Sequence, residues 1–142
     1  MLQKGLMDQL EFSNAIKIYL ETRFPLYIPS SKFHDDDSFE FTIKSNSGKI
    51  NIWIATFDLE ITIGLEDTNG NSDTHWHLGR AEEHDISELF SIISEFVSDI
   101  ITDKKIIVQK EQKNHVLYSL TDDLSKIKLK DSIINSYKWS KI

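Results

Sequence analysis

Two histidines separated by a single residue, His75 and His77, form the motif whose residue types could carry chemistry most directly. Alternate side chains of a β-strand point to the same face, so the two imidazole rings can share one metal ion. The same spacing also suits two exposed histidines that form hydrogen bonds or contact a partner. A metal-binding protein or a metal-dependent enzyme that uses His75 and His77 is therefore one alternative for the function.

The neighbouring residues predict the face on which the histidines lie. Trp76 and Leu78 alternate with them and fit the aliphatic side of a sheet, which places the histidines on the opposite, outer side. Aromatic side chains exposed on such a face are typical anchors of protein interfaces. We therefore expect an outer patch formed by Trp53, Glu60, Thr62, His75 and His77.

Other residues of catalytic or metal-binding type give no complete set. The acidic run at residues 35–37 follows His34 and could supply oxygen ligands, but such a run is also typical of a solvated turn. Glu40 and Lys44 have the end spacing of a nuclease strand, yet an acidic surface opposes the approach of DNA. The sequence has neither a phosphate-binding loop nor a nucleophile elbow. We predict a non-enzymatic protein with no catalytic residue, no metal and no cofactor.

Charge is distributed unevenly along the chain, which has 23 acidic and 16 basic residues and a net charge of −7. Residues 34–103, the acidic segment, have sixteen acids and three bases, whereas residues 104–142, the basic tail, have nine lysines and four acids. An acidic segment can steer a basic protein partner and argues against binding of nucleic acid or anionic membranes. The alternative is that the basic tail folds against the acidic segment and neutralises it.

The acidic loops and the outer patch together predict a partner-binding surface. Its expected residues are Asp35, Asp36, Asp37, Trp53, Glu60, Glu66, Asp67, Asp73, His75 and His77. A further alternative is an oligomeric structural or adaptor protein whose bare sheet face pairs with a second copy. The oligomeric state itself is not predicted.

Two helices must help to position these residues. Apolar spacing predicts amphipathic helices over residues 8–22 and 86–101. Asp85 and Glu88 form a capping box at the start of the second helix. The length suits a single domain, 1–142.

Strands are predicted where the apolar period changes to two. Four antiparallel strands form a meander at about residues 38–78, and further strands follow residue 104. Residues 26–29 are expected to be extended, residues 30–37 to form a polar loop, and residues 127–129 to add a strand. The expected fold class is α+β, with both helices packed on one face of the antiparallel sheet.

The composition predicts a soluble, cytoplasmic protein. The chain has no cysteine, so it can form neither a disulfide nor a cysteine-based zinc site. Its first residues alternate between apolar and polar and lack the apolar core of a signal peptide. No stretch approaches the roughly 20 apolar residues that a membrane-spanning helix needs.

The strands and the His-Trp-His motif resemble those of small bacterial immunity proteins, which accompany polymorphic toxins of contact-dependent or type VI secretion systems. The resemblance covers about residues 38–101. It is carried by the segments Ile52-Trp53-Ile54, Leu59-Glu60-Ile61-Thr62-Ile63-Gly64-Leu65 and Thr74-His75-Trp76-His77-Leu78. It implies a non-enzymatic cytoplasmic protein that binds a cognate toxin domain, often a nuclease, and blocks its active site or substrate path.

Overall fold

Eight β-strands and two α-helices form the regular structure of the residues that the structure describes. The computed structural model describes residues 7–69, 74–113, 115–126 and 133–142. In chain order the elements are α1 (Gln9–Arg23), β1 (Ser31–Phe33), β2 (Phe39–Lys44), β3 (Ile50–Ala55), β4 (Glu60–Asp67), β5 (Thr74–Arg80), α2 (Ile86–Ile101), β6 (Ile106–Gln112), β7 (His115–Thr121) and β8 (Ile133–Tyr137).

The strands form two antiparallel sheets. The first has five strands in the order β1-β2-β3-β4-β5, and the second has three in the order β7-β6-β8. Strands β2 to β5 confirm the predicted meander, and α1 and α2 confirm both predicted helices. The fold class is therefore α+β, as predicted. The strand predicted at residues 127–129 lies outside the described residues.

The first sheet has one strand more than the sequence predicts. Residues 30–37, predicted as a polar loop, contain β1, which pairs antiparallel with β2. Phe33 pairs with Phe39 at the end of this ladder, and their rings lie 5.2 Å apart. The loop prediction was wrong here because a strand of three residues is too short to show an alternating pattern.

The connection after α1 also differs from its prediction. Residues 26–29, predicted as extended, lie in a short 3₁₀ helix, Pro25–Ser30. Proline suits the first position of a helical turn, where its fixed φ is helical and no amide hydrogen is needed. The Tyr27 amide donates to the Phe24 carbonyl at 3.1 Å, which closes the first turn.

Both α-helices begin at side-chain caps. Asp8 Oδ1 accepts a hydrogen bond from the Glu11 amide at 2.8 Å. Glu88 Oε1 accepts one from the Asp85 amide at 3.3 Å, which is the glutamate half of the predicted capping box. Among the described residues, no helix has the length and hydropathy needed to cross a membrane.

By its contacts the chain divides into two compact units. The first unit is Met1–Ile43, Trp53–Ile63 and Trp76–Ser94, and the second is Lys44–Ile52, Gly64–His75 and Glu95–Ile142. The divisions fall within β2, β3, β4, β5 and α2. Side chains buried in the first unit include Phe12, Ile16, Leu20, Phe39, Phe41, Ile54, Ile61, Ile63, Leu89 and Ile93. Those buried in the second include Ile50, Ile52, Leu65, Val97, Ile100, Ile107, Val108 and Trp139.

Within the second unit, the basic tail packs against part of the acidic segment. The Ser47 amide donates to the Ile142 carbonyl at 2.8 Å, and the Tyr118 amide donates to Thr74 Oγ1 at 2.8 Å. Tail residues thus contact two stretches of the acidic segment, as the alternative interpretation of the charge pattern expects.

Candidate partner-binding surface

The structure brings together three of the five outer-patch residues, on β4 and β5 of the first unit. His77 Nδ1 lies 2.7 Å from Glu60 Oε1 and 3.3 Å from Thr62 Oγ1. An ionised carboxylate can only accept hydrogen bonds, so the His77 Nδ1 hydrogen is donated to Glu60. The Glu60 side chain is 19% exposed and the His77 ring 59% exposed. The pair is therefore a fixed polar feature at the protein surface.

Arg80 joins Glu60 to two further carboxylates. Its guanidinium lies 3.7 Å from Glu60 Oε2 and 3.8 Å from Asp58 Oδ2, and Nε donates to Glu82 Oε1 at 2.8 Å. The hydrogen bond to Glu82 raises the pKa of Arg80. One cation among three carboxylates leaves an excess of negative charge. We call Asp58, Glu60, His77, Arg80 and Glu82 the rim cluster.

The other two outer-patch residues, Trp53 and His75, belong to β3 and β5. Trp53 is a partly buried residue of β3 in the first unit, whereas His75 belongs to the second unit. The predicted alternation along β5 is confirmed, since His75 and His77 are exposed while Trp76 and Leu78 are partly buried.

The acidic run before β2 is a hydrogen-bonded turn in the first unit. The Asp36 carboxylate accepts from the Ser38 hydroxyl at 2.6 Å and from the Ser38 amide at 2.9 Å, and these bonds lower the pKa of Asp36. Asp35 and Asp37 are exposed. Asp36 therefore has a structural role in the turn, in addition to its charge.

The short turn Phe57–Leu59, between β3 and β4, has an unusual backbone conformation. Asp58 and Leu59 have φ angles of 55° and 56°, in the left-handed region. This region costs a residue such as leucine about 1–2 kcal/mol. Phe57, at the start of the turn, is 62% exposed.

Gln9 of α1 holds this turn in place. Its Nε2 donates to the Thr56 carbonyl at 2.7 Å, and its Oε1 accepts from the Leu59 amide at 2.9 Å. The Ala81 amide, just after β5, donates to the Leu59 carbonyl at 2.8 Å. Main-chain groups on both sides of the turn are therefore fixed.

Two buried hydroxyls connect this turn to the acidic run. Ser13 of α1 and Thr56 are both fully buried, and their oxygens lie 2.8 Å apart. Ser13 Oγ donates to the Asp37 carbonyl at 2.5 Å, and Thr56 Oγ1 accepts from the Phe39 amide at 2.8 Å. Helix α1 thus positions the acidic run at residues 35–37 and the Phe57–Leu59 turn.

A cavity of about 330 Å³ lies at the start of α2 in the first unit. This volume is at the low end for small-molecule sites. His84 Nδ1 lies 3.3 Å from Glu88 Oε2 beside it. The residues that line it are Met7, Phe12, Ala81, Glu82, Glu83, His84, Asp85, Ile86, Glu88 and Leu89.

The remaining predicted partner-binding residues are Glu66, Asp67 and Asp73. Glu66 and Asp67 are partly buried residues of the second unit. There, burial and, to a smaller extent, Asp67 raise the pKa of Tyr118 to about 12. Asp73 lies outside the described residues.

Five residues of the surface were not predicted as partner-binding residues: Gln9, Phe57, Asp58, Arg80 and Glu82. Gln9 and Phe57 have no motif that would indicate their role. Arg80 offers a signal, because it is one of only two arginines in the chain and lies within the acidic segment. An isolated arginine among many acids suggests a buried or shared ion-pair partner.

In the described ranges no group of three or more histidine, aspartate or glutamate side chains is placed to hold a metal ion. His34, considered above with the acidic run, instead has its Nε2 3.0 Å from Glu40 Oε2. Comparison of the chain with protein-family models, curated proteins and solved structures gave no match.

Proposed function

We propose that the protein is a non-enzymatic immunity-type protein that binds and neutralises a cognate, basic toxin domain in the cytoplasm, for example a nuclease. The observation that carries this proposal is the division of charge between the two units. The first unit has thirteen acidic and five basic residues in its sequence ranges, a net charge of −8. The second has ten acidic and eleven basic residues, a net charge of +1.

The basic tail belongs to the second unit, together with Glu66 and Asp67. The net negative charge of the first unit supports a basic partner. Opposite potentials raise the rate of association and disfavour acidic competitors.

The loops of the first unit also suit an inhibitor because hydrogen bonds fix them in advance. Gln9 and Ser13 hold the acidic run and the Phe57–Leu59 turn through main-chain atoms. A preorganised surface loses little conformational freedom on binding, so more of the contact energy is available for affinity.

The proposal can be tested with the C-terminal domain of the protein encoded by the adjacent upstream gene, by measuring its association with the full chain. The triple variant Asp35→Asn, Asp58→Asn, Glu83→Gln removes three exposed charges from the first unit. Asparagine tolerates the left-handed backbone at position 58. We expect the association rate at low salt to fall at least about tenfold.

The matched control removes three exposed acids, Glu95→Gln, Glu111→Gln and Asp122→Asn, from the second unit. It should leave the association rate within about twofold of the wild type, because it leaves the first unit's charge unchanged. An equal effect of the two triple variants would contradict the role of the first unit. Failure of the unmodified chain to bind this domain, or to protect cells that express it, would contradict the proposed function.

A further inference from the structure

Phe57 is a large apolar side chain exposed in a turn whose two ends are not exposed. Phe57 is 62% exposed and Asp58 beside it is also exposed, whereas Thr56 is fully buried and Leu59 partly buried. Phe57 and Asp58 therefore face solvent between two anchored residues.

The main chain on both sides of Phe57 is held before any partner binds. Gln9 bonds the Thr56 carbonyl and the Leu59 amide at 2.7 and 2.9 Å, and the Leu59 carbonyl accepts from Ala81 at 2.8 Å. An aromatic ring on such a frame can be buried by a partner with little loss of backbone entropy.

Acidic groups lie next to Phe57 along this frame. Asp58 follows Phe57, and the Arg80 guanidinium contacts Asp58, Glu60 and Glu82. The buried hydroxyls of Thr56 and Ser13 connect the turn to the main-chain carbonyl of Asp37, which belongs to the acidic run. An aromatic centre with a charged, solvated periphery is the usual anatomy of an interface hot spot.

We infer that Phe57 is the apolar anchor of the partner-binding surface. The partner that fits is a basic protein with an apolar pocket for a phenyl ring, bordered by lysine or arginine. This inference rests on the proposed function. It adds that Phe57 lies at the centre of the surface that contacts the partner. Leu26 is more exposed, at 85%, but it lies in the Pro25–Ser30 segment, which contains no acidic residue.

The first test compares Phe57→Ala with the control Leu26→Ala, using the same upstream-encoded C-terminal domain as the probe. Phe57→Ala should weaken affinity at least about 30-fold, through faster dissociation, with the salt dependence unchanged. Leu26→Ala should change affinity less than about twofold. Circular dichroism checks that both variants are folded. Wild-type affinity in folded Phe57→Ala would overturn the inference.

The second test separates failure of this inference from failure of the proposed function. The photocrosslinking residue benzoylphenylalanine is placed at position 57 of the full chain, or at position 26 as the control. Cells that produce either variant are then irradiated to crosslink bound proteins. We expect position 57 alone to crosslink one basic protein, which is then purified and assayed with Phe57→Ala. If the upstream-encoded domain fails to bind while the crosslinked protein binds the chain through Phe57, only the assignment of the partner as a toxin fails, and the anchor inference stands. If positions 57 and 26 crosslink equally, or if neither crosslinks, the inference that Phe57 is the apolar anchor is overturned.

Discussion

Gln9 sets the shape of a loop that is distant from it in sequence. Its side-chain amide satisfies one carbonyl and one amide, 47 and 50 residues further along the chain. One partner, the Thr56 carbonyl, precedes the turn, and the other is the amide of Leu59, which has a left-handed backbone like Asp58. A single polar side chain at the start of α1 therefore compensates for a conformation that the turn would otherwise disfavour.

Replacing Gln9 by alanine leaves the Thr56 carbonyl and the Leu59 amide without these partners. We expect Gln9→Ala to lower the free energy of unfolding by about 1–3 kcal/mol. It should also speed hydrogen exchange at the Leu59 amide. Urea denaturation and exchange measured by NMR test both effects. Asn14→Ala, at an exposed position of the same helix, is the control, and an equal loss of stability there would contradict a specific role for Gln9.

Asp103 gives a prediction about pH. Its pKa lies below the ordinary value of 3.8, chiefly because its carboxylate accepts hydrogen bonds from Ser140, with Lys138 and Lys141 nearby. A depressed folded-state pKa stabilises the fold above the unfolded pKa, and this is lost as pH falls through the folded-state value. Asp103→Asn should cost about 1 kcal/mol at pH 7, a small value because the site is exposed, and less at about pH 2.5.

Urea denaturation of the wild type and of Asp103→Asn at both pH values measures this difference. Asn14→Ala, at an exposed position without an ionisable side chain, serves as the control and should leave the pH dependence of stability unchanged. A cost of Asp103→Asn that is the same at both pH values would show that the charge of Asp103 contributes nothing.

At the scale of residues, the sequence predicts those contacts that follow from strand alternation. Glu60, Thr62 and His77 meet as expected because residues two apart share a face of a strand. The contacts of Gln9 and Ser13 could not be predicted, because they join a helix to loops through main-chain atoms. No residue type specifies that pairing.

At the scale of elements, long periodic segments are predicted well and short ones poorly. The helix predicted over residues 86–101 coincides with α2, since its apolar face repeats over four turns. Strand β1 and the Pro25–Ser30 helix are missed because each is shorter than the pattern that would reveal it. Tertiary pairing with β2, and not local preference, makes β1 a strand.

Packing between β5 and α2 gives a test at this scale. A Cβ atom at Gly79 would lie 2.9 Å from Leu89 Cδ2 and 3.1 Å from His84 Cδ2. Leu89 is fully buried and also lines the cavity at the start of α2, so relief of this overlap would require its side chain to shift toward the cavity. We expect Gly79→Ala to lower the free energy of unfolding by about 1–3 kcal/mol.

A double-mutant cycle with Leu89→Ala identifies the cause of that loss. If the clash with Leu89 is responsible, adding Gly79→Ala to Leu89→Ala should cost less than it does in the wild type, because the leucine methyl groups are gone. Thermal or urea unfolding gives all four values. If Gly79→Ala costs the same in both backgrounds, the clash with Leu89 is not the cause of the lost stability.

At the scale of the molecule, the two units differ in charge yet share elements. Strands β2 to β5 and helix α2 each contribute residues to both units. The acidic segment is one run in sequence, but its residues are distributed over both units. Net charge per segment could therefore not predict net charge per unit, which depends on how the strands are divided.

Shared elements predict cooperative unfolding of the whole chain, as expected for a single domain. Unfolding of one unit would remove parts of the strands that form the other, so an intermediate with one unit intact is disfavoured. Amide signals from each unit, such as Ile61 and Val108, should disappear at the same urea concentration in NMR spectra. Different midpoints would show that the units unfold independently.

The two Gln9 hydrogen bonds that hold the Phe57–Leu59 turn also affect how this surface could evolve. In this turn Gln9 bonds main-chain atoms, the Thr56 carbonyl and the Leu59 amide, so these bonds do not depend on the side chains at positions 57 and 58. Position 57 can therefore accept substitutions while the loop keeps its framework, whereas the left-handed backbone at position 58 favours aspartate, asparagine or glycine. The turn thus has one variable residue on a constant scaffold, and a lineage could retarget it by changing the codon for position 57.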